Sequence, residues 1–210
     1  MTKRLILVGC GAFARELINW AQDVAETGQG EAVTGFLDED AQALAGFNYK
    51  IEYLGKIDAF VPQSGDYLLM AIGDPSIKKK IYQELKAKGA QFAQLIHPSA
   101  VIARSAKLGD GAVVCPQAFI SADAIIGDMV AINGCASVGH DVRLGSFCTL
   151  SSHVDLMGWV QVDECVFFGS GARVLPKVKV RAGAKIGAGA VVMRSVTENA
   201  VMYAQPAKKL

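Results

Sequence analysis

A six-residue period runs without insertion through seventeen units, from Ile96 to Thr197. The first position of every unit is large and apolar, from Ile96, Ile102 and Leu108 through Phe168 to Ile186 and Val192. The fifth position is always Ala, Val or Cys, as in Ala100, Val142, Cys148 and Ala184. A period held this long marks a solenoid, in which each unit buries its apolar face only against its neighbours. Side chains alternate along a strand, so positions five and one face inward across the join between units, and positions three and four are left as corners. Flat strands joined by two-residue corners must coil. If three strands complete a turn, one coil takes 18 residues, and the 102 residues of the repeat give between five and six coils, stacked about 4.8 Å apart. The result is a triangular prism.

Ahead of the repeat the pattern changes. Arg4–Val8 is a short apolar run that stops at Gly9, which favours a buried first strand over a leader segment. Gly9-Cys10-Gly11-Ala12-Phe13-Ala14 follows, and a helix is expected from Arg15 to about Glu26, with Leu17, Ile18 and Ala21 on one stripe. A second strand is expected over residues 32–37, ending at Asp38-Glu39-Asp40. A third covers residues 67–72 and closes at Gly73-Asp74-Pro75. A helix from Ser76 to Lys88 then stops at Gly89. Strand, glycine turn, helix and strand imply a small parallel α/β sheet. Two domains are expected, a Rossmann-like unit over residues 1–92 and the β-helix over residues 93–210, with a short C-terminal tail.

The 210 residues carry a net charge of +1, which gives no reason to expect nucleic acid or an anionic membrane as a partner. No apolar stretch approaches the roughly 20 residues of a membrane span. The five cysteines are odd in number and form no CxxC pair, which reads as reduced thiols in a cytoplasmic protein.

Leu108-Gly109-Asp110, Ile126-Gly127-Asp128 and Ile186-Gly187-Ala188-Gly189-Ala190 resemble the hexapeptide-repeat acyltransferases, as does Gln205-Pro206-Ala207-Lys208 near the end. In the front unit, Gly9-x-Gly11, Phe36-Leu37-Asp38-Glu39 and Ala71-Ile72-Gly73-Asp74 are similar to the PglD-type nucleotide-sugar N-acetyltransferases; NeuD-type sialic acid O-acetyltransferases share the layout. The resemblance implies a left-handed parallel β-helix, a homotrimer and acetyl-CoA as co-substrate, with a role in glycan biosynthesis. The acceptor it implies is the amine of a nucleotide-linked 4-amino-4,6-dideoxy sugar.

Three histidines divide by register. His97 is outward at the domain junction, where a structural role is expected. His140 and His153 sit at corners, where neighbouring subunits of a trimer would meet. Val138-Gly139-His140-Asp141 resembles the family segment that carries the general base. Histidine is the side chain that titrates nearest neutral pH, and a carboxylate beside it fixes the tautomer and supports the cation. His140 is thus the expected base and Asp141 its orienting partner, one methylene shorter than the family's glutamate. Gly158 stands one coil on, and the resemblance gives its N–H the oxyanion. The same carry-over sets acetyl-CoA against Thr149, Gly158, Ser170 and Ala188, in a groove below His140. It sets the nucleotide sugar against Gly11, Ala12, Phe13, Asp38, Glu39 and Gly73. Thr149 replaces a family histidine and Ala188 a glycine. The Gly9–Asp38 interval of 29 residues exceeds the roughly 20 of an NAD fingerprint.

The run Lys78-Lys79-Lys80 reads as a solvated helix face. A corner glycine such as Gly158 has a simpler explanation too, a turn needing positive φ. No metal or redox cofactor is expected. Sialic acid O-acetylation, a non-catalytic scaffold that binds sugar nucleotides, and an NAD-using front domain, which the Gly9–Asp38 spacing argues against, are the rival readings.

Overall fold

The computed structural model describes residues 3–205. The Pro206–Lys208 part of the closing motif therefore lies outside the described residues. The front unit runs β1 (Arg4–Val8), α1 (Ala12–Glu26), β2 (Val33–Leu37), β3 (Glu52–Gly55), β4 (Asp66–Met70), α2 (Pro75–Ala87) and β5 (Gln91–Phe92). All pairings are parallel, in the order β3-β2-β1-β4-β5. Helix α1 starts three residues earlier than expected, because the extended Gly11 acts as its N-cap and the chain enters the helix at once. Asp74 caps α2 by accepting from Ser76 N–H (2.9 Å) and Ile77 N–H (3.0 Å), with Pro75 in the first turn. The short strands β3 and β5 were not expected; neither carries an alternating pattern.

From β6 (Leu95–Ile96) to β22 (Val191–Val192) the chain forms two-residue strands at positions six and one of each unit, and β23 (Val201–Met202) follows after the repeat has ended. They stack into parallel sheets of seven, six and five strands, the three faces of a prism. The ladder offset is 18 residues from β6 to β22, as in Phe119↔Ser137 and Ser137↔Asp155, and shortens to 16 where β21 pairs with β23 through Lys185↔Val201. First- and fifth-position side chains fill the interior, with Ile120, Val138, Leu156 and Val174 fully buried in one column. Each such side chain contributes roughly 1.5–3 kcal/mol by burial. At the corners, the fourth residue takes the left-handed conformation, as at Cys135 (φ 58°), Asp141 (φ 59°), His153 (φ 61°) and Trp159 (φ 59°).

The three faces are covered differently. Helix α1 packs on the seven-stranded face, with Ala14, Leu17 and Ala21 against Leu95, Val113 and Ala131. The other side of the sheet clusters with Met129, Phe147 and Cys165 at the next edge. His97 ties the junction, its Nε2 3.0 Å from Asp23 Oδ2 and its ring edge-on to Trp20. The six-stranded face has no such cover and leaves Val101, Phe119, Val191 and Met193 exposed. Among the described residues no helix is long and apolar enough to cross a membrane.

Candidate active site

Two edges of the prism and one crevice of the sheet hold the residues singled out above. The crevice lies where the strand order reverses: β2 sits on one side of β1 and β4 on the other, so the loops after β1 and β4 diverge. Open α/β sheets bind ligands at such a point. Gly11, Ala12 and Phe13 leave β1, Asp38 and Glu39 leave β2, and Gly73 leaves β4. Gly9 has φ +83°, and a Cβ there would fall 2.7 Å from Ile72 Cγ1, so the turn admits no larger residue. Space around Gly11 is open. Asp38 is already engaged: its Oδ2 accepts from Cys10 N–H (2.6 Å) and its Oδ1 from Asp40 N–H (2.9 Å). It cinches the glycine turn to the end of β2. Glu39 is exposed, 3.6 Å from Lys56.

His140 follows β13 (Ser137–Val138) at the edge between the six- and five-stranded faces. Its Nδ1 lies 2.8 Å from Asp141 Oδ2, so an N–H on Nδ1 donates to the carboxylate and leaves the Nε2 lone pair free. Asp141 reaches its neighbour because it holds the left-handed corner conformation, which aspartate tolerates better than most residues. The ring packs edge-on to Trp159, with centroids 4.3 Å apart, and is about half exposed.

Gly158 is one coil on, at the same edge. Its φ is not positive; Trp159 beside it carries the left-handed turn, so the simple turn explanation fails. A Cβ on Gly158 would instead lie 2.6 Å from His140 Nε2 and 2.7 Å from Cε1. The ring occupies the space that any side chain would need. The Gly158 N–H has no acceptor among the described residues. At two other third positions the amide is taken by the residue one coil later: Asp110 N–H donates to Asp128 Oδ1 and Asp128 N–H to Ser146 Oγ. One coil after Gly158 stands Pro176, which has no such oxygen.

Ser170 and Ala188 are stacked and exposed, as expected, but on a different edge. They lie between the seven- and six-stranded faces, since Ser170 follows β18 (Phe167–Phe168) of the seven-stranded sheet. They are therefore not below His140 within one chain; a full face separates the two edges. His153 and Cys135 share the edge of Ser170.

Thr149 starts β15 (Thr149–Leu150) and, against the expectation of a cofactor contact, is 3% exposed with its hydroxyl taken up between the two units. Its Oγ1 donates to Gly73 O (2.8 Å) and accepts from Lys78 Nζ (2.9 Å). A cavity of about 250 Å³ opens beside it, lined by Phe13, Glu16 and Gly73 from the front unit and Asn133, Ser151 and Ser170 from the prism. It joins the crevice to the edge of Ser170. Lys78 corrects the expectation of a solvated run, for it is 1% exposed. It lies on the inner stripe of α2, in line with Leu85, and Nζ also donates to Cys148 O (3.1 Å). Burial pushes the amine down to about 8.

Comparison with known proteins fits this geometry. Residues 4–85 match the PglD N-terminal domain. A crystal structure of PerB from Caulobacter crescentus, in complex with CoA and GDP-perosamine, superposes with a TM-score of 0.86 at 33% identity and covers 99% of this chain and 97% of that one. The chain belongs to the PglD-type nucleotide-sugar N-acetyltransferase family. GDP-perosamine N-acetyltransferase of Escherichia coli O157:H7 is 26% identical over 79% of this chain and 75% of its own length. The acetyltransferase domain of PglB from Neisseria gonorrhoeae, solved with acetyl coenzyme A, matches over the full length of both chains at 27% identity and a TM-score of 0.84. Within this family layout, Trp159, Asn133 and Glu16 were not singled out from sequence, and Lys78 was read there only as part of a solvated run. Only Lys78 left a signal there, its place on a helical stripe with Ile81, Tyr82 and Leu85.

Proposed function

We propose that this protein transfers acetyl from acetyl-CoA to the amine of a nucleotide-linked 4-amino-4,6-dideoxy sugar. Residues 1–92 hold the sugar nucleotide and residues 93–210 carry the transfer. The observation that carries the reading is the His140 imidazole, held by Asp141 at 2.8 Å and lying on the bare corner of Gly158. Among the described residues only His140 combines a carboxylate-held imidazole, its second nitrogen free, with an unclaimed backbone donor at one edge.

The amine nitrogen attacks the thioester carbonyl directly, without an acyl-enzyme. His140 Nε2 takes the proton that the nitrogen loses, and Asp141 supports the imidazolium. The tetrahedral oxyanion is held by Gly158 N–H. When the C–S bond breaks, the proton passes from the imidazolium to the departing CoA sulfur. The amide and CoA are the products.

A homotrimer completes the site in this reading. The uncovered apolar six-stranded face separates the His140 edge from the Ser170–Ala188 edge, and its exposed Val101, Phe119, Val191 and Met193 suit contact with other copies. Where two copies meet, the His140 edge of one faces the Ser170–Ala188 edge of the other, and acetyl-CoA lies between them. The relatives support the substrate class: PerB was solved with CoA and GDP-perosamine together, also as variants with one histidine changed to asparagine or alanine. His140→Ala is expected to lower turnover with acetyl-CoA and a nucleotide-linked amino sugar by about 10²–10⁴-fold while melting temperature and assembly hold. A folded variant of equal activity contradicts the assignment. Parallel assays with a sialic acid acceptor separate N- from O-acetylation.

A further inference from the structure

The ammonium of Lys78 is buried where a hydrocarbon side chain would cost less. Taking a charge out of water costs several kcal/mol before its partners offset it, and neither partner here is a carboxylate. Nζ donates to Cys148 O at 3.1 Å and to Thr149 Oγ1 at 2.9 Å. Three ionisable groups act on it: the Cys148 and Cys165 thiols from the prism and Asp74 from the start of its own helix. Both thiols are held in the neutral form by burial, Cys148 being pushed up to about 12. The lysine is thus not one half of an ion pair inside the core.

Its effect on Thr149 follows from donor counting. A threonine hydroxyl has one hydrogen, and an ammonium can only donate. Lys78 therefore obliges Thr149 Oγ1 to accept, and the single hydroxyl hydrogen is directed to Gly73 O at 2.8 Å. The Gly73 carbonyl belongs to the same rigid peptide plane as Asp74 N–H. Fixing it orients the loop after β4, one wall of the crevice and of the cavity between the two units.

We infer that Lys78 is a positioning residue for the nucleotide-sugar end of the site, acting through the Thr149 hydroxyl on the Gly73 loop. This deepens the proposed function and rests on it for the identity of the substrate. The relay runs from α2 to the prism wall and back to the front unit, so it sets how the sugar-nucleotide loop stands against the prism. The His140 edge is not part of it.

The test separates this role from a general loss of structure. Lys78→Met fills the same space without a donor, and Thr149→Val removes the hydroxyl while keeping the lysine. Each is expected to raise KM for the nucleotide-linked amino sugar about tenfold, the size of one lost hydrogen bond, while kcat and KM for acetyl-CoA change less than about twofold. The double variant is expected to be no worse than either single one, because both interrupt one relay. Amide hydrogen exchange across residues 72–77, measured without substrate, is expected to quicken in both. If Lys78→Met does not fold, Thr149→Val alone decides. Equal rises in both KM values, a rise for acetyl-CoA alone with Thr149→Val, or unchanged exchange would each overturn the relay. A wild-type protein that acetylates no sugar nucleotide overturns the proposed function instead, and the exchange measurement still judges the relay.

Discussion

His140 and Lys78 both place an ionisable nitrogen against the wall of the same prism, one on an open edge and the other beneath a helix. At the open edge, Nε2 and the Gly158 amide are both left without partners, and the glycine exists to make room for the ring. Under α2 every polar atom is engaged: Lys78 with Cys148 O and Thr149, and Thr149 with Gly73. The repeat geometry is the same in both places. What differs is what lies outside it. An unpartnered donor and acceptor at a solvated corner are available to a substrate, whereas the same groups left unpartnered in the interior would destabilise the fold. The open edge is free to do chemistry, and the closed face is free only to position.

The contrast is open to attack at both ends. After loss of the His140 imidazole itself, the largest expected effect belongs to Gly158→Ala. Its methyl would fall within 2.7 Å of the ring, and a flexible side chain at a corner can swing away. The fold survives, and turnover drops about 10²-fold through misplacement of the base. Steady-state rates beside a melting curve check it; a loss of stability with normal turnover would make Gly158 a packing residue only. Asp141→Asn keeps an oxygen for the Nδ1 hydrogen but removes the charge that supports the imidazolium. Turnover is expected to fall about tenfold, with KM for acetyl-CoA unchanged, by the same assay.

The smallest effect is on stability. Folded Lys78 titrates near 8, whereas the unfolded lysine keeps its ordinary value near 10.5. Between those values the unfolded chain binds the extra proton, so this residue's contribution to stability rises with pH across that window. Lys78→Met lacks this rise. Relative to that variant, the wild-type melting temperature is expected to gain about 4 °C from pH 7.5 to 9.5. Parallel curves would show that the amine is not buried as described.

Much of this was legible in the sequence, for reasons that differ by region. The prism was readable because each unit faces the same constraint, an apolar first position and a small fifth one, so the period carries its own proof. The stacking of His140 on Gly158 followed from the 18-residue coil. The edge of Ser170 was equally open to arithmetic: it lies 30 residues from His140, five units, and five is not a multiple of three. Lys78 was obscured by its neighbours. Three lysines in a row suggest a wet surface, yet only Lys78 lies on the stripe of Ile81, Tyr82 and Leu85, and the helix turns Lys80 outward. The strands β3 and β5 had no pattern of their own to read; they form because β2 and β4 offer them an edge. Asp38 was readable as a carboxylate at a strand end, but its bonds to Cys10 and Asp40 amides depend on how tightly the glycine turn closes.

Subunit mixing tests most directly whether one reaction centre needs two copies of the chain. In the proposed site, His140→Ala protein lacks the base and Ala188→Trp protein has a blocked cofactor edge, so each alone is expected to be nearly inactive. Unfolded together and refolded, they form mixed assemblies in which an intact His140 edge meets an intact Ser170–Ala188 edge, and acetyl transfer should return to a substantial fraction of the wild-type rate. A mixture as inactive as its two components would mean that each chain builds its site alone.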